Sequence, residues 1–181
     1  MNKKVRWITQ MAIMLALLVT LQALTKPLGQ LVTGSCVNMI LAVSVLFGGL
    51  YCGITVALVS PILAFLLGIA PQVLTVPAIM AGNAVYVIVL YFIAGKEGVC
   101  LIRQVLAWLG AALAKFLVIY GAVAGLVCGL LAESLLASGS LKPPMLQALP
   151  ATFGWPQLVT ALIGGAAAFL ILPVLRKAIR K

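Results

Sequence analysis

Residues 101–131, LIRQVLAWLGAALAKFLVIYGAVAGLVCGLL, decide the fold. Apart from Arg103, Gln104 and Lys115 every position is apolar, aromatic or small, so no face is left for water. About twenty apolar residues cross a typical bilayer core. The run exceeds that length and reads as a membrane span that must tilt, bend or protrude.

Five similar runs surround it. They extend from about Trp7 to Leu24, Val37 to Tyr51, Gly53 to Ile69, Val76 to Ala94 and Pro156 to Leu175. The expectation is an all-α integral membrane protein, a six-transmembrane-helix bundle forming one domain over residues 1–181. With 65% hydrophobic residues, a soluble fold lacks the polar surface to cover itself. The first run is long, lacks a small-residue cleavage site and is followed by further spans, so it reads as a retained helix rather than a signal peptide.

The net charge of +10 follows the membrane rather than a nucleic acid. With six crossings, Lys3, Lys4, Arg6, Lys96, Arg103, Arg176, Lys177, Arg180 and Lys181 share one side. Lys26 and Lys142 fall on the other, and Lys115 lies within a span. This positive-inside pattern puts both termini in the cytoplasm, with anionic lipid headgroups as sufficient partners.

Composition removes whole classes of chemistry. The chain holds no His, no Asp and only two acidic residues, Glu97 and Glu133. Metal sites and general acid/base pairs have almost nothing to be built from. A membrane enzyme would have to use Ser35, Ser60 or Cys36 without such a base, and nothing places a serine beside Lys115. Cys36, Cys52, Cys100 and Cys128 lack CxxC spacing and read as small packing residues. There is no GxxxxGK[ST] with which to hydrolyse ATP and no carboxylate within a span to couple protons or sodium.

Connections are unequal. Thr25–Cys36 (TKPLGQLVTGSC), Ala70–Thr75 (APQVLT) and Ala132–Trp155 read as the longer, outer ones. Gly48-Gly49 and Gly53 read as a tight inner turn, and Pro61 as a kink in the third span. Long ordered loops on one side suggest an outward-facing pocket.

Small residues four apart let helices approach closely. Gly121, Gly125 and Gly129 in the fifth span, and Ala161, Gly164-Gly165 and Ala168 in the sixth, read as internal packing stripes. Ala12 and Ala16, continued by Thr20, form such a stripe in the first span. On spacing alone it serves internal packing or a partner's helix equally well.

Lys115 is the sharpest single signal. A buried ammonium needs a partner or water, and no acidic residue inside a span offers itself. It snorkels outward, donates to backbone carbonyls or faces a cavity. Asn83, with Tyr86 three residues on, Asn38 and Gln157 share the outer half. Asn83 either bridges helices or meets a ligand, and Trp155 either belongs to an interfacial belt or to a pocket. Together with Phe116 and Tyr120 these groups make a reasonable small-molecule site. One lysine favours a small monoanion or a neutral heterocycle over a multiply charged or strongly cationic ligand.

Six spans, basic termini, the AxxxA pair, AGNAVYV (residues 81–87), AALAKFLVIYG (111–121) and WPQ…ALIGG (155–165) are similar to a substrate-binding S-component of an energy-coupling factor (ECF) vitamin transporter. The resemblance covers nearly the whole chain through degenerate motifs. It implies capture of a vitamin or a precursor at the outer face of a prokaryotic cell membrane. Uptake would be ATP-driven, through a membrane T-component and two cytoplasmic ATPases that carry the ATP and magnesium, this chain holding no cofactor. It assigns Ala12 and Ala16 to the T-component and Asn83, Lys115 and Gln157 to the binding site. The contrasting reading is a self-sufficient secondary transporter or channel for a small anionic or neutral solute.

Overall fold

Backbone amides out of reach of water must pair within their own segment, so apolar runs of this length fold as helices. In the computed structural model, which describes residues 3–69, 72–95 and 99–179, all the long elements are helical. They are α1 (Lys3–Thr25), α2 (Gln30–Gly48), α3 (Leu50–Leu66), α4 (Val76–Ala94), α5 (Leu101–Tyr120), α6 (Ala132–Ala137), α7 (Met145–Phe153) and α8 (Trp155–Ile179). Five segments, 7–28, 30–48, 73–94, 101–130 and 145–178, are long and apolar enough to cross a membrane. The expected third span, α3, is a shorter apolar helix of 17 residues. Lys96, Glu97, Arg180, Lys181 and Ala70, named above, lie outside the described residues.

Several boundaries move, each for a local reason. The stretch expected as a loop over Thr25–Cys36 is mostly helix, and α2 begins at Gln30 rather than Val37. Thr33 Oγ1 donates to Gly29 O (3.0 Å) and Ser35 Oγ to Leu31 O (2.6 Å), so the hydroxyls bond back onto their own helix. The only sharp corner there is Gly29, at φ +91°. Ala132–Trp155 likewise holds two helices instead of an open loop, pinned by buried Leu141, Leu149 and Phe153. Those three join Ala78, Ile119 and Val123 in a small core of their own.

Pro61 does not break α3, which runs through it to Leu66. The long fifth run changes winding. After Tyr120 it continues as a π-helix over Gly121–Leu130, a form usually confined to single turns. Gly49, at φ +85°, is by itself the connection between α2 and α3. Gly53 is not part of that turn. A Cβ there would meet Val45 Cβ at 2.6 Å and Val87 Cγ1 at 2.7 Å, so it is a packing glycine.

The main core is built around α2, where every residue from Ile40 to Leu46 is buried. A helix covered on all sides has no amphipathic stripe, consistent with its evenly apolar sequence. Its closest neighbour is α8. A Cβ on Gly164 would run into Ser35 O, Asn38 Cβ (2.6 Å) and Met39 N (2.8 Å), and one on Gly34 into Thr160 Cγ2 (2.8 Å). By contrast, among the described side chains of α1 only Leu18 is completely buried, and the helix leans on the bundle's edge.

Arg176 and Arg103 sit where α2 and α4 end. Arg176 Nη2 donates to Leu46 O (3.0 Å) and Arg103 Nη2 to Phe92 O (3.5 Å), satisfying carbonyls of those helices' last turns. This end of the bundle also holds the Gly49 turn. The polar cavity lies at the other.

Candidate functional site

The cavity has a volume of about 170 Å³. Its wall comes from the end of α1 (Gln22), the turn after it (Lys26), the start of α2 (Gln30, Thr33), α4 (Ile79) and α7 (Phe153). Asn38, Asn83, Lys115 and Gln157 line it as well. Four helices thus bring together four of the residues singled out in the sequence.

Lys115 is 2% exposed and does not snorkel. Its Nζ donates to Asn38 Oδ1 (2.5 Å) and Asn83 Oδ1 (2.6 Å), and lies 5.5 Å from the centroid of the Tyr86 ring. The partners are neutral side chains rather than the backbone carbonyls considered above. Gly82 makes this approach of α4 to α5 possible, since a Cβ there would collide with Ile119.

The two asparagines are not equivalent. Asn38 is nearly saturated: its Nδ2 donates to Gly34 O (2.9 Å) and Thr160 Oγ1 (3.3 Å), which turns its oxygen toward Lys115. Thr160 is buried and donates in turn to Gln157 O (3.1 Å). Asn83 is 1% exposed, and its Nδ2 has no hydrogen-bond partner. Gln22, another residue of the lining, likewise has its Oε1 buried and unpaired. Unpaired polar groups are costly in an apolar interior, and here both border the same cavity.

Tyr86 and Trp155 fall elsewhere than in the lining. Tyr86 is wholly buried beneath Lys115, its hydroxyl donating to Ala161 O (3.5 Å). It supports the floor without lining it. Trp155 is 72% exposed and is not part of this cavity. As the first residue of α8 it turns outward and stacks on Phe116, which stacks on Tyr120 (centroids 6.0 and 5.6 Å apart). With Phe116, Tyr120 and Pro150 it lines a separate hollow, so its exposure does not decide between a pocket and an interfacial belt.

Three contributors escape a reading of the sequence. Gln22 is one of two amides in the first apolar run, with Gln10, and its place near the outer end of that run is the signal that points to it. Thr160 acts through Asn38, which no spacing reveals. Lys26 reads in the sequence only as a charge; its Nζ donates to Gly68 O (2.7 Å), tying the α1–α2 turn to the end of α3 beside the cavity mouth.

The small-residue stripes divide. A Cβ on Gly165 would meet Trp108 Nε1 at 2.7 Å and Tyr86 OH at 2.9 Å, so α8 packs as expected. A Cβ added to Gly121 or Gly125 would find nothing within 4 Å, and one on Gly129 would meet only its own helix at Ala124 O. The fifth-span stripe is therefore not an internal contact. Ala12, Ala16 and Thr20 are all exposed, which removes internal packing as their role.

No protein-family model matches this chain, and neither a curated protein nor a solved structure matches it.

Proposed function

We propose that the chain is a solute-capturing subunit of a membrane uptake system. Its six helices cross a prokaryotic cell membrane with both termini in the cytoplasm, and the cavity opens outward. The carrying observation is Lys115, an ammonium buried on two asparagine oxygens at the floor of a cavity bordered by unpaired Asn83 Nδ2. Buried polar groups left part-satisfied inside a span are expensive, and a bound solute completes them.

The resemblance to ECF S-components supplies the rest of the reading. A vitamin-like micronutrient binds at the outer face, and a T-component with two ATPases drives its passage, supplying the ATP chemistry. Two features favour dependence on partners over self-sufficient transport. The sequence offers no carboxylate within its spans for proton or sodium coupling, and the stripe of Ala12 and Ala16 stands free on the loosely packed α1. Such a face suits close approach by another helix.

The test is affinity purification of the tagged chain from its native membranes in mild detergent, followed by protein mass spectrometry. Recovery of a multispanning protein with paired ATPases is expected. Recovery of the chain alone, under conditions that keep other ATP-driven complexes whole, would put a self-sufficient transporter or channel in its place.

A further inference from the structure

We infer that the cavity takes a small monocarboxylate, about one six-membered ring in bulk, with its carboxylate held by Lys115 Nζ and Asn83 Nδ2. The inference rests on the capture reading and narrows its substrate. Donors are in surplus at the cavity floor. An ammonium has three N–H groups, of which Lys115 uses two. Asn83 Nδ2 adds two more, both unpaired. A carboxylate offers two oxygens with about four acceptor positions, enough to engage all three free donors.

Charge points the same way. Among the described residues none lining the cavity is acidic, and the partners of Lys115 are neutral. A buried cation without a counter-charge is costly, and the ligand is the available source of one. The second lysine, Lys26, is solvent-exposed at the mouth and bonded to Gly68 O. It attracts anions toward the opening without following them to the floor. A single buried cation therefore matches one negative charge; a phosphate near −2 would leave charge uncompensated.

Size sets the rest. A cavity of about 150 Å³ accommodates benzene, and this one, at about 170 Å³, leaves room for a ring and little more. Val37, Ile79 and Phe153 give that ring apolar walls, while Gln22 and Gln157 can hydrogen-bond a heteroatom on it.

The test uses the full chain in detergent with benzoate, nicotinate and pentanoate, each against its neutral amide of the same shape. Thermal unfolding is the readout. At least one acid is expected to raise the unfolding temperature by several degrees while its amide does not. Asn83→Asp provides the decisive variant, because it places a carboxylate on Lys115 from within. It is expected to fold with unchanged or higher thermal stability and to lose the acid's effect. An amide as effective as its acid, no response to any of the three acids, or an acid effect that persists in folded Asn83→Asp overturns the inference.

Mass spectrometry of small molecules released from the purified wild type and Asn83→Asp separates this failure from failure of the capture reading. A neutral compound lost from the variant rejects the carboxylate and keeps the site. A compound retained equally by both rejects the carboxylate at Asn83 and keeps capture, whereas no compound from either rejects both.

Discussion

Two glycine stripes of the same kind meet opposite fates in this molecule. In α8, Gly164 and Gly165 lie where a single methyl group would strike α2, Trp108 and Tyr86. In the π-helix after α5, Gly121 and Gly125 face open space and Gly129 touches only its own turn. Spacing of four permits close helix approach but does not supply the partner. What decides is the surrounding topology: α8 lies along α2 at the centre of the main core, whereas the π-helix runs past that core to the small one it shares with α7.

The comparison breaks most readily at Gly164. Gly164→Val must displace backbone atoms of α2, Ser35 O and Met39 N, which no rotamer change relieves. Overpacking of this kind costs about 1–3 kcal/mol or more. It also shifts Asn38, whose Cβ would be 2.6 Å from the added carbon, so solute binding should fall with stability. Detergent-denaturant unfolding of the purified chain measures the first and ligand titration the second. A stable, binding-competent Gly164→Val would mean that α2 and α8 are less closely apposed than described.

The contrast between saturated and unsaturated polar groups predicts a smaller effect. Asn38→Leu removes bonds to Lys115, Gly34 and Thr160 and should cost about 1–2 kcal/mol, near the upper range for interhelical hydrogen bonds in membranes. Asn83→Leu removes one bond but also an unpaired Nδ2. Its cost should stay within about 0.5 kcal/mol, while ligand affinity drops by about tenfold or more. The same unfolding assay with both variants checks the order. Equal destabilisation would show that Asn83 is as firmly integrated as Asn38 and would remove its special place in the site.

The open stripe predicts a change of opposite sign. Gly125→Ala adds a methyl group where nothing lies within 4 Å and reduces backbone freedom in the unfolded chain. Unfolding measurements should show a gain of about 1 kcal/mol or less. A clear loss would reveal a neighbour on that face.

Much of the fold was legible because apolar length is a strong signal: α4 begins and ends at the residues expected, Val76 and Ala94. The start of α2 was not, since Thr33 and Ser35 look like loop residues until their hydroxyls bond back to the helix. Within the site, Lys115, Asn38, Asn83 and Gln157 stood out as polar groups in apolar runs, and the structure brings them to one cavity. Gln22 shared that signal but lay in a helix read only for its small stripe. Trp155 was ambiguous because an aromatic at a helix start serves a pocket or a belt equally well, and in the structure it sits outside the Lys115 cavity but lines a second hollow with Phe116 and Tyr120. The vacancy beside the π-helical glycines was illegible, because spacing within one helix carries no information about what lies opposite it.

The smallest effect on folding belongs to α1, which shares with the π-helix a small-residue stripe left exposed. Ala12 and Ala16 are exposed, and the helix is held by Leu18 with partly buried Met11, Met14, Leu15 and Leu21. Ala12→Leu with Ala16→Leu should therefore leave stability within about 0.5 kcal/mol and solute binding intact. If the stripe receives a partner's helix, the added bulk keeps the two backbones apart, and the pull-down loses its membrane partner while the purified chain behaves as wild type. A fold that fails instead would return the stripe to internal packing. A double variant that keeps both fold and partners would leave α1 as bare as the π-helix and shift the search for a docking face to Gly121 and Gly125.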